Sequence, residues 1–206
     1  LTLDQPAALE GLQFYADLMA RHKVHPTPTQ QAQESEQMTF LNGRAAFYLG
    51  AVNTVGRLQN ASFTCHAAPV PWGKAGVQVT GGGHSWPMNN ASTEKDAAWE
   101  LQKFLGSKEN DLLQVLSGEA PPYRKSTSVL SAWKERTPPA NPETLAEGAA
   151  YLKPQPKVPT WSEINRELNT GLKPALEGER TARDVVLSLK PKLTQLLDQG
   201  WRDVPQ

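Results

Sequence analysis

Apolar residues recur at helical spacing in several stretches of this chain. Leu9, Leu12, Tyr15, Leu18 and Met19 predict a helix that opens behind Asp4 as its cap, with Pro6 in the first turn, and closes near His22. Ser35 starts a short helix that Asn42-Gly43 stops. Ala97, Ala98, Leu101, Phe104 and Leu105 form one apolar helix face behind a capping box of Thr93 and Asp96. Gly106-Ser107 breaks that helix, and a second runs to Leu116 and ends at Gly118. Asn141-Pro142 opens another short helix. Trp161 opens a longer one that reaches about Leu176 with a bend at Pro174. Thr181 caps the last helix, whose apolar side holds Val185, Val186, Leu189, Leu193, Leu196 and Leu197. Pro191 should kink it, and Gly200 should end it.

Short apolar runs at residues 44–49 and 64–70 predict buried strands, with a helix from Val52 to Leu58 between them. Trp72 to Gly76 reads as a turn, and Gln78-Val79-Thr80 leads into Gly81-Gly82-Gly83. His25 to Thr29 and Glu119 to Ser126 read as loops, the first an exposed connection stiffened by prolines. The chain is thus helix-rich with a few short strands. It lacks the regular βαβ alternation of a fully parallel sheet.

Composition narrows the classes of function. Lys and Arg number 21 and so do Asp and Glu, a balance that argues against nucleic acid or an anionic membrane surface as the main partner. Mean hydropathy is −0.52 and no apolar run has the length of a transmembrane helix. One cysteine, Cys65, excludes a disulfide framework and a cysteine-rich metal site. His22, His25, His66 and His84 form no helical H-x-x-x-H pair, so no metal is expected. The start, Leu1-Thr2-Leu3-Asp4, has neither an initiator Met nor the basic and apolar regions of a signal peptide. It reads as the entry to a helix inside something longer, a fragment or a processed product.

Catalytic patterns are missing. There is no G-x-S-x-G elbow and no phosphate-binding P-loop, and the triple glycine lacks G-x-G-x-x-G spacing. His84 and Ser85 are adjacent, which points their side chains apart in a strand. Glu119 and Glu163 are carboxylates that no spacing selects as a glycosidase pair. No catalytic residue and no cofactor are expected. Aromatics on loops remain. Tyr48 and Trp86 adjoin predicted strands and read as core residues. Tyr123 and Trp161 sit on proline-rich loops, where an indole or phenol can stack on the apolar face of a sugar. Trp161 is either such a platform or a packing residue.

Phe40-Leu41-Asn42-Gly43-Arg44-Ala45-Ala46-Phe47-Tyr48-Leu49-Gly50 resembles the F-x-x-G-[KR]-A-A-M segment of extracellular solute-binding proteins family 1, the maltose-binding-protein-like components of carbohydrate ABC transporters. Leu3 to Tyr15, Pro69-Val70-Pro71, Gly81-Gly82-Gly83, the Asn90 to Leu105 helix and Pro122-Tyr123-Arg124-Lys125-Ser126 follow in the family's order. The resemblance implies an α/β, helix-rich fold of the periplasmic-binding-protein type II kind, of which this chain is the C-terminal part. It implies C-terminal-lobe helices and strand over 1–68, a segment returning toward the N-terminal lobe with hinge crossings over 69–125, and a helical C-terminal lobe over 126–206. The implied function is extracytoplasmic: binding a sugar or oligosaccharide in an inter-lobe cleft and delivering it to membrane permease subunits, without catalysis and with the membrane reached only through the parent protein. The residues that match cleft positions are Trp161, Gly81, Gly82, Gly83, Gly50, Ala51, Asn53, Ala120, Pro121, Tyr123 and Trp86. Asn53 stands where the family often has Trp, which trades a stacking platform for a hydrogen-bonding side chain. Tyr123 and Arg124 can support the loop instead of touching ligand. Two rivals come from other classes: a carbohydrate-active enzyme or lyase subunit built on the same aromatic loops, and a helical interaction module in which Trp161 is only packing.

Overall fold

The computed structural model describes residues 1–81, 85–118, 122–124, 127–135, 137–155 and 157–202. The chain divides into two compact units, Leu1–Glu36 with Pro156–Gln206, and Gln37–Gln155.

The first unit is helical. Helix α1 (Pro6–Ala20) buries Ala16 and Met19, and Pro6 occupies its first turn as expected. Asp4 is not its cap. Gln5 holds that position without a side-chain bond, because the Asp4 carboxylate is engaged by Lys190 Nζ at 2.5 Å. Helix α2 (Pro28–Gln33) lies where the sequence predicts only an exposed loop. Thr27 and Gln30 form a reciprocal capping box, a T-x-x-Q signal masked by the two flanking prolines. Three further helices complete the unit: α8 (Trp161–Gly171), α9 (Lys173–Leu176) and α10 (Ala182–Arg202). Ile164, Leu193 and Leu196 are buried together between α8 and α10, with Leu3, Val158, Trp161, Leu168, Leu189 and Leu197 packed around them. Thr181 caps α10 as predicted, its hydroxyl oxygen accepting from Asp184 N at 3.1 Å. Gly200 does not end α10, which continues to Arg202. It marks a close crossing instead, since a Cβ there would lie 2.6 Å from Thr160 Oγ1.

Two carboxylates tie this unit together across long stretches of sequence. The hydrogen bond from Lys190 holds Asp4 below its ordinary value of 3.8, and hydrogen bonds from Thr29 hold Glu177 below 4.5. Both values are depressed in the folded chain. Their stabilisation is therefore complete above the ordinary carboxylate range and is lost as pH falls through the folded values. Asp4→Asn with Glu177→Gln is expected to flatten the fall in unfolding midpoint below about pH 4.5, measured by urea titration at several pH values. An unchanged pH profile in the double variant contradicts this assignment.

The second unit begins in helix α3 (Glu36–Leu41), stopped by Gly43 in the left-handed region at φ +70°. Residues 44–49 are not a strand. A strand needs a neighbouring strand, and the described residues place none beside 44–49; Phe47 is 89% and Leu49 76% exposed. The Tyr48 ring, half-buried, stacks on Phe40, and Phe63 meets Phe40 edge-on. Residues 52–60 form a 3₁₀ helix in place of the predicted helix to Leu58. Residues 64–70 also form no strand, but they are anchored. The Asn141 side chain accepts from Ala67 N at 2.7 Å and donates to Ala67 O at 2.9 Å, and Ala140 N donates to Cys65 O. One side-chain amide thus takes the place of a neighbouring strand.

In helix α4 (Lys95–Leu105) Glu94 holds the N-cap position without a side-chain bond, in place of a Thr93–Asp96 box; Ser92 Oγ accepts from Glu94 N. The predicted apolar face of α4 is not covered, and Leu101 and Phe104 are exposed. Helix α5 (Lys108–Ser117) is capped by Ser107 and closed by Gly118 at φ +77°. Helices α6 (Thr127–Lys134) and α7 (Glu143–Glu147) follow. Val115, Val129 and Trp133 form the core of this unit, flanked by Val52, Leu112, Ala132 and Leu145. The described strands, β1 (Val79–Gly81) and β2 (Leu152–Pro154), pair in parallel, with Val79 opposite Leu152 and Gly81 opposite Pro154. The sequence reading missed β2 because Pro154 and the prolines after it suggest a loop. Pro154 lies in a two-stranded pair, where each strand is an edge and a missing N–H is tolerated.

Candidate functional site

Trp161 is the first residue of α8, as its sequence position predicts. Pro159 and Thr160 turn the chain, and Trp161 N donates to Val158 O at 3.0 Å. The Thr160 hydroxyl spans to α10 and donates to Leu196 O at 2.8 Å. The indole is half-buried, with one part packed on Ile164, Leu193 and Leu196 and the rest open. A ring braced in this way is held in one orientation, which lowers the ordering cost of a contact on its open part.

The other described candidates belong to the second unit. Gly50 and Ala51 lead into the 3₁₀ helix, where the Ala51 carbonyl accepts from Thr54 N and from the Thr54 hydroxyl. A Cβ on Gly50 would meet the Tyr48 ring. Asn53 is exposed on the first turn of that helix. Gly56 N donates to Gly118 O at 3.1 Å, and a Cβ on Gly56 would lie 2.9 Å from Ser117 O. The Asn53 turn is therefore drawn to the end of α5, directly before the 119–121 segment. Ala120, Pro121, Gly82 and Gly83 lie outside the described residues. Gly81 closes β1, and the space that a Cβ would occupy is filled by Leu152 of the paired strand.

Trp86 is 52% exposed and is not the core residue that its neighbouring strand suggests. Its carbonyl accepts from Gln102 on α4. Tyr123 is 53% exposed, and its hydroxyl donates to Leu105 O at 3.2 Å. The Arg124 guanidinium donates to Gly106 O and lies 6.0 Å from the Tyr123 ring centroid. The loop is thus clamped on the corner between α4 and α5. Asp111 on α5 has no solvent exposure, and its Oδ1 accepts from Tyr123 N at 3.4 Å. The sequence reading missed Asp111, since an acid in the first turn of a helix looks like an ordinary dipole partner.

Burial pushes the Cys65 thiol up, away from the reactive thiolate. No group of acids, histidines and cysteine among the described residues could hold a metal ion. No helix among them is long and apolar enough to cross a membrane. The first unit carries an open concavity of about 530 Å³ between α1 and the α9–α10 connection. Its polar groups are tied to one another: Gln13 Nε2 donates to Asp17, Ala182 N donates to Gln13 Oε1, and Arg180 donates to Asp184 O.

Comparison with known proteins gives this arrangement a context. The family described as bacterial extracellular solute-binding protein matches residues 2–143. An ABC substrate-binding protein from Listeria monocytogenes, solved in complex with cycloalternan, is similar with a TM-score of 0.80 and 20% identity. The match covers 95% of this chain and 50% of that one. The maltose-maltodextrin binding protein of Alicyclobacillus acidocaldarius is similar with a TM-score of 0.72 and 17% identity, over 93% of this chain and 51% of that one. The chain therefore spans about half the length of each. Its fold is the helix-rich α/β fold of the periplasmic-binding-protein type II kind that the sequence motifs imply.

Proposed function

The chain belongs to the bacterial extracellular solute-binding proteins, and from that premise we propose that it is part of the substrate-binding component of an ABC importer for a sugar or oligosaccharide. The observation that carries this reading is the fold match over 95% of the chain to a protein solved with cycloalternan. The maltose-maltodextrin binding protein adds a second carbohydrate-binding relative of the same fold. In this reading the protein works outside the cytoplasm and carries out no catalysis. Residues 1–68 and 126–206 serve the C-terminal lobe, and residues 69–125 return toward the N-terminal lobe. Ligand binding closes a cleft between lobes, and permease subunits recognise the closed form.

Within that cleft Trp161 stacks on a sugar ring, which favours an uncharged ligand. Asn53 offers its amide to a hydroxyl where an indole would otherwise stack. By the family resemblance, Gly50, Ala51 and Gly81 to Gly83 match segments whose backbone approaches the ligand, Ala120 and Pro121 match a loop of the cleft, and Trp86 and Tyr123 are further candidate contacts.

The ligand class is tested by titrating maltodextrin, cycloalternan, a sugar phosphate and an amino acid mixture into the polypeptide as the cell produces it. Intrinsic fluorescence from the six tryptophans serves as the readout. The expected result is saturable change with at least one neutral oligosaccharide and none with the amino acids. Saturation by amino acids alone, or release of cleaved sugar, contradicts it.

A further inference from the structure

We propose that Asp111 is the positioning residue for the loop that carries Tyr123, setting its register for the sugar; this rests on the binding function proposed above. Asp111 has no solvent exposure, an unusual place for a carboxyl group. Its backbone N–H is already used within α5, donating to Ser107 O. The side chain is therefore free to act on another segment. Oδ1 accepts from Tyr123 N, and Oδ2 finds no partner among the described residues. A buried acceptor left half-used is a poor device for stability alone, because leaving one oxygen unpaired is costly.

Its geometry suits registration. The loop after α5 approaches the α4–α5 corner at three points. Asp111 holds the Tyr123 backbone, the Tyr123 hydroxyl reaches Leu105 O, and Arg124 reaches Gly106 O. The last two are long side chains at an exposed surface, free to shift with the loop. Asp111 is the short, buried member of the set. It alone of the three fixes a backbone atom of the loop, so it sets where Tyr123 sits. Gly118 and Gly56 hold the other end of the same loop through the Gly56 N to Gly118 O bond.

Asp111→Leu keeps the branched shape at a larger volume and removes the acceptor; Asp111→Asn keeps one acceptor oxygen. The proposal is tested first without ligand. Hydrogen exchange at the Tyr123 amide should accelerate by at least about tenfold in Asp111→Leu while the α5 amides stay protected. Asp111→Asn should stay near the parent. Calorimetric titration with maltodextrin and cycloalternan follows. A positioning role lowers affinity by about tenfold at full stoichiometry, whereas a merely structural role lowers the competent fraction and leaves the dissociation constant alone. If Asp111→Leu does not fold, the smaller Asp111→Ala removes the same acceptor and should show the same faster Tyr123 exchange and weaker affinity. Unchanged Tyr123 exchange, or unchanged affinity in every variant that folds, overturns the proposal. A parent that binds neither sugar contradicts the proposed function instead, and the exchange measurement still decides the role of Asp111.

Discussion

Trp133→Ala should destabilise the second unit by about 3–5 kcal/mol, the cost of emptying a large core aromatic site. Trp133 is 1% exposed and packs with Val129 and with Val115 of α5, so filling the vacancy requires α5 to shift. The indole also donates from Nε1 to Pro142 O at 3.1 Å. That bond joins α6 to the residue just before α7, beside Asn141 and its hold on Ala67. Truncation therefore removes a core side chain and orphans a buried carbonyl at once. Trp133→Phe separates the two effects. It keeps most of the packing and loses the donor, and it should cost about 1–3 kcal/mol. Urea unfolding monitored by circular dichroism checks both. A shift in midpoint of less than about 1 kcal/mol equivalent in Trp133→Ala contradicts this account of the core.

The second large effect concerns Trp161 and is expected on affinity. The ring has two duties in this account. Its inner part packs on Ile164, Leu193 and Leu196, and its open part stacks on sugar. Trp161→Ala should therefore cost stability as well, about 1–2 kcal/mol for a half-buried ring, less than the loss at Trp133. Its effect on sugar binding should be about 1 kcal/mol or more, roughly fivefold in affinity. A residue that only packs would move the first quantity and leave the second. The sequence alone poses packing and stacking as alternatives. The half-buried indole makes them compatible, because the packing is what holds the ring for stacking.

Helices with local punctuation were legible in the sequence. Ser107 and Gly118 bound α5, Thr181 caps α10, and Trp161 begins α8, each through a cap or turn that acts within a few residues. Signals that depend on distant partners were not. Asp4 looks like a cap until Lys190, far along the chain, is seen to engage it. Residues 44–49 have strand composition but no neighbouring strand among the described residues, and residues 64–70 are held by a side-chain amide at Ala67. Gly200 reads as a stop signal, yet it is the gap through which Thr160 approaches α10. The candidate site divides in the same way. Trp161 and Tyr123 were visible as aromatics on stiff loops, whereas Asp111 became apparent only once its burial and its bond to Tyr123 were known.

The central claim is that this protein binds a neutral sugar with Trp161 against the ring. Its most direct test is calorimetric titration of maltodextrin and cycloalternan into the parent polypeptide, Trp161→Phe and Trp161→Ala, at a temperature where all three are folded. The account predicts that the parent binds at least one of the sugars, that Trp161→Phe retains most of the affinity, and that Trp161→Ala loses about fivefold or more at unchanged stoichiometry. Equal dissociation constants for the parent and Trp161→Ala would contradict it.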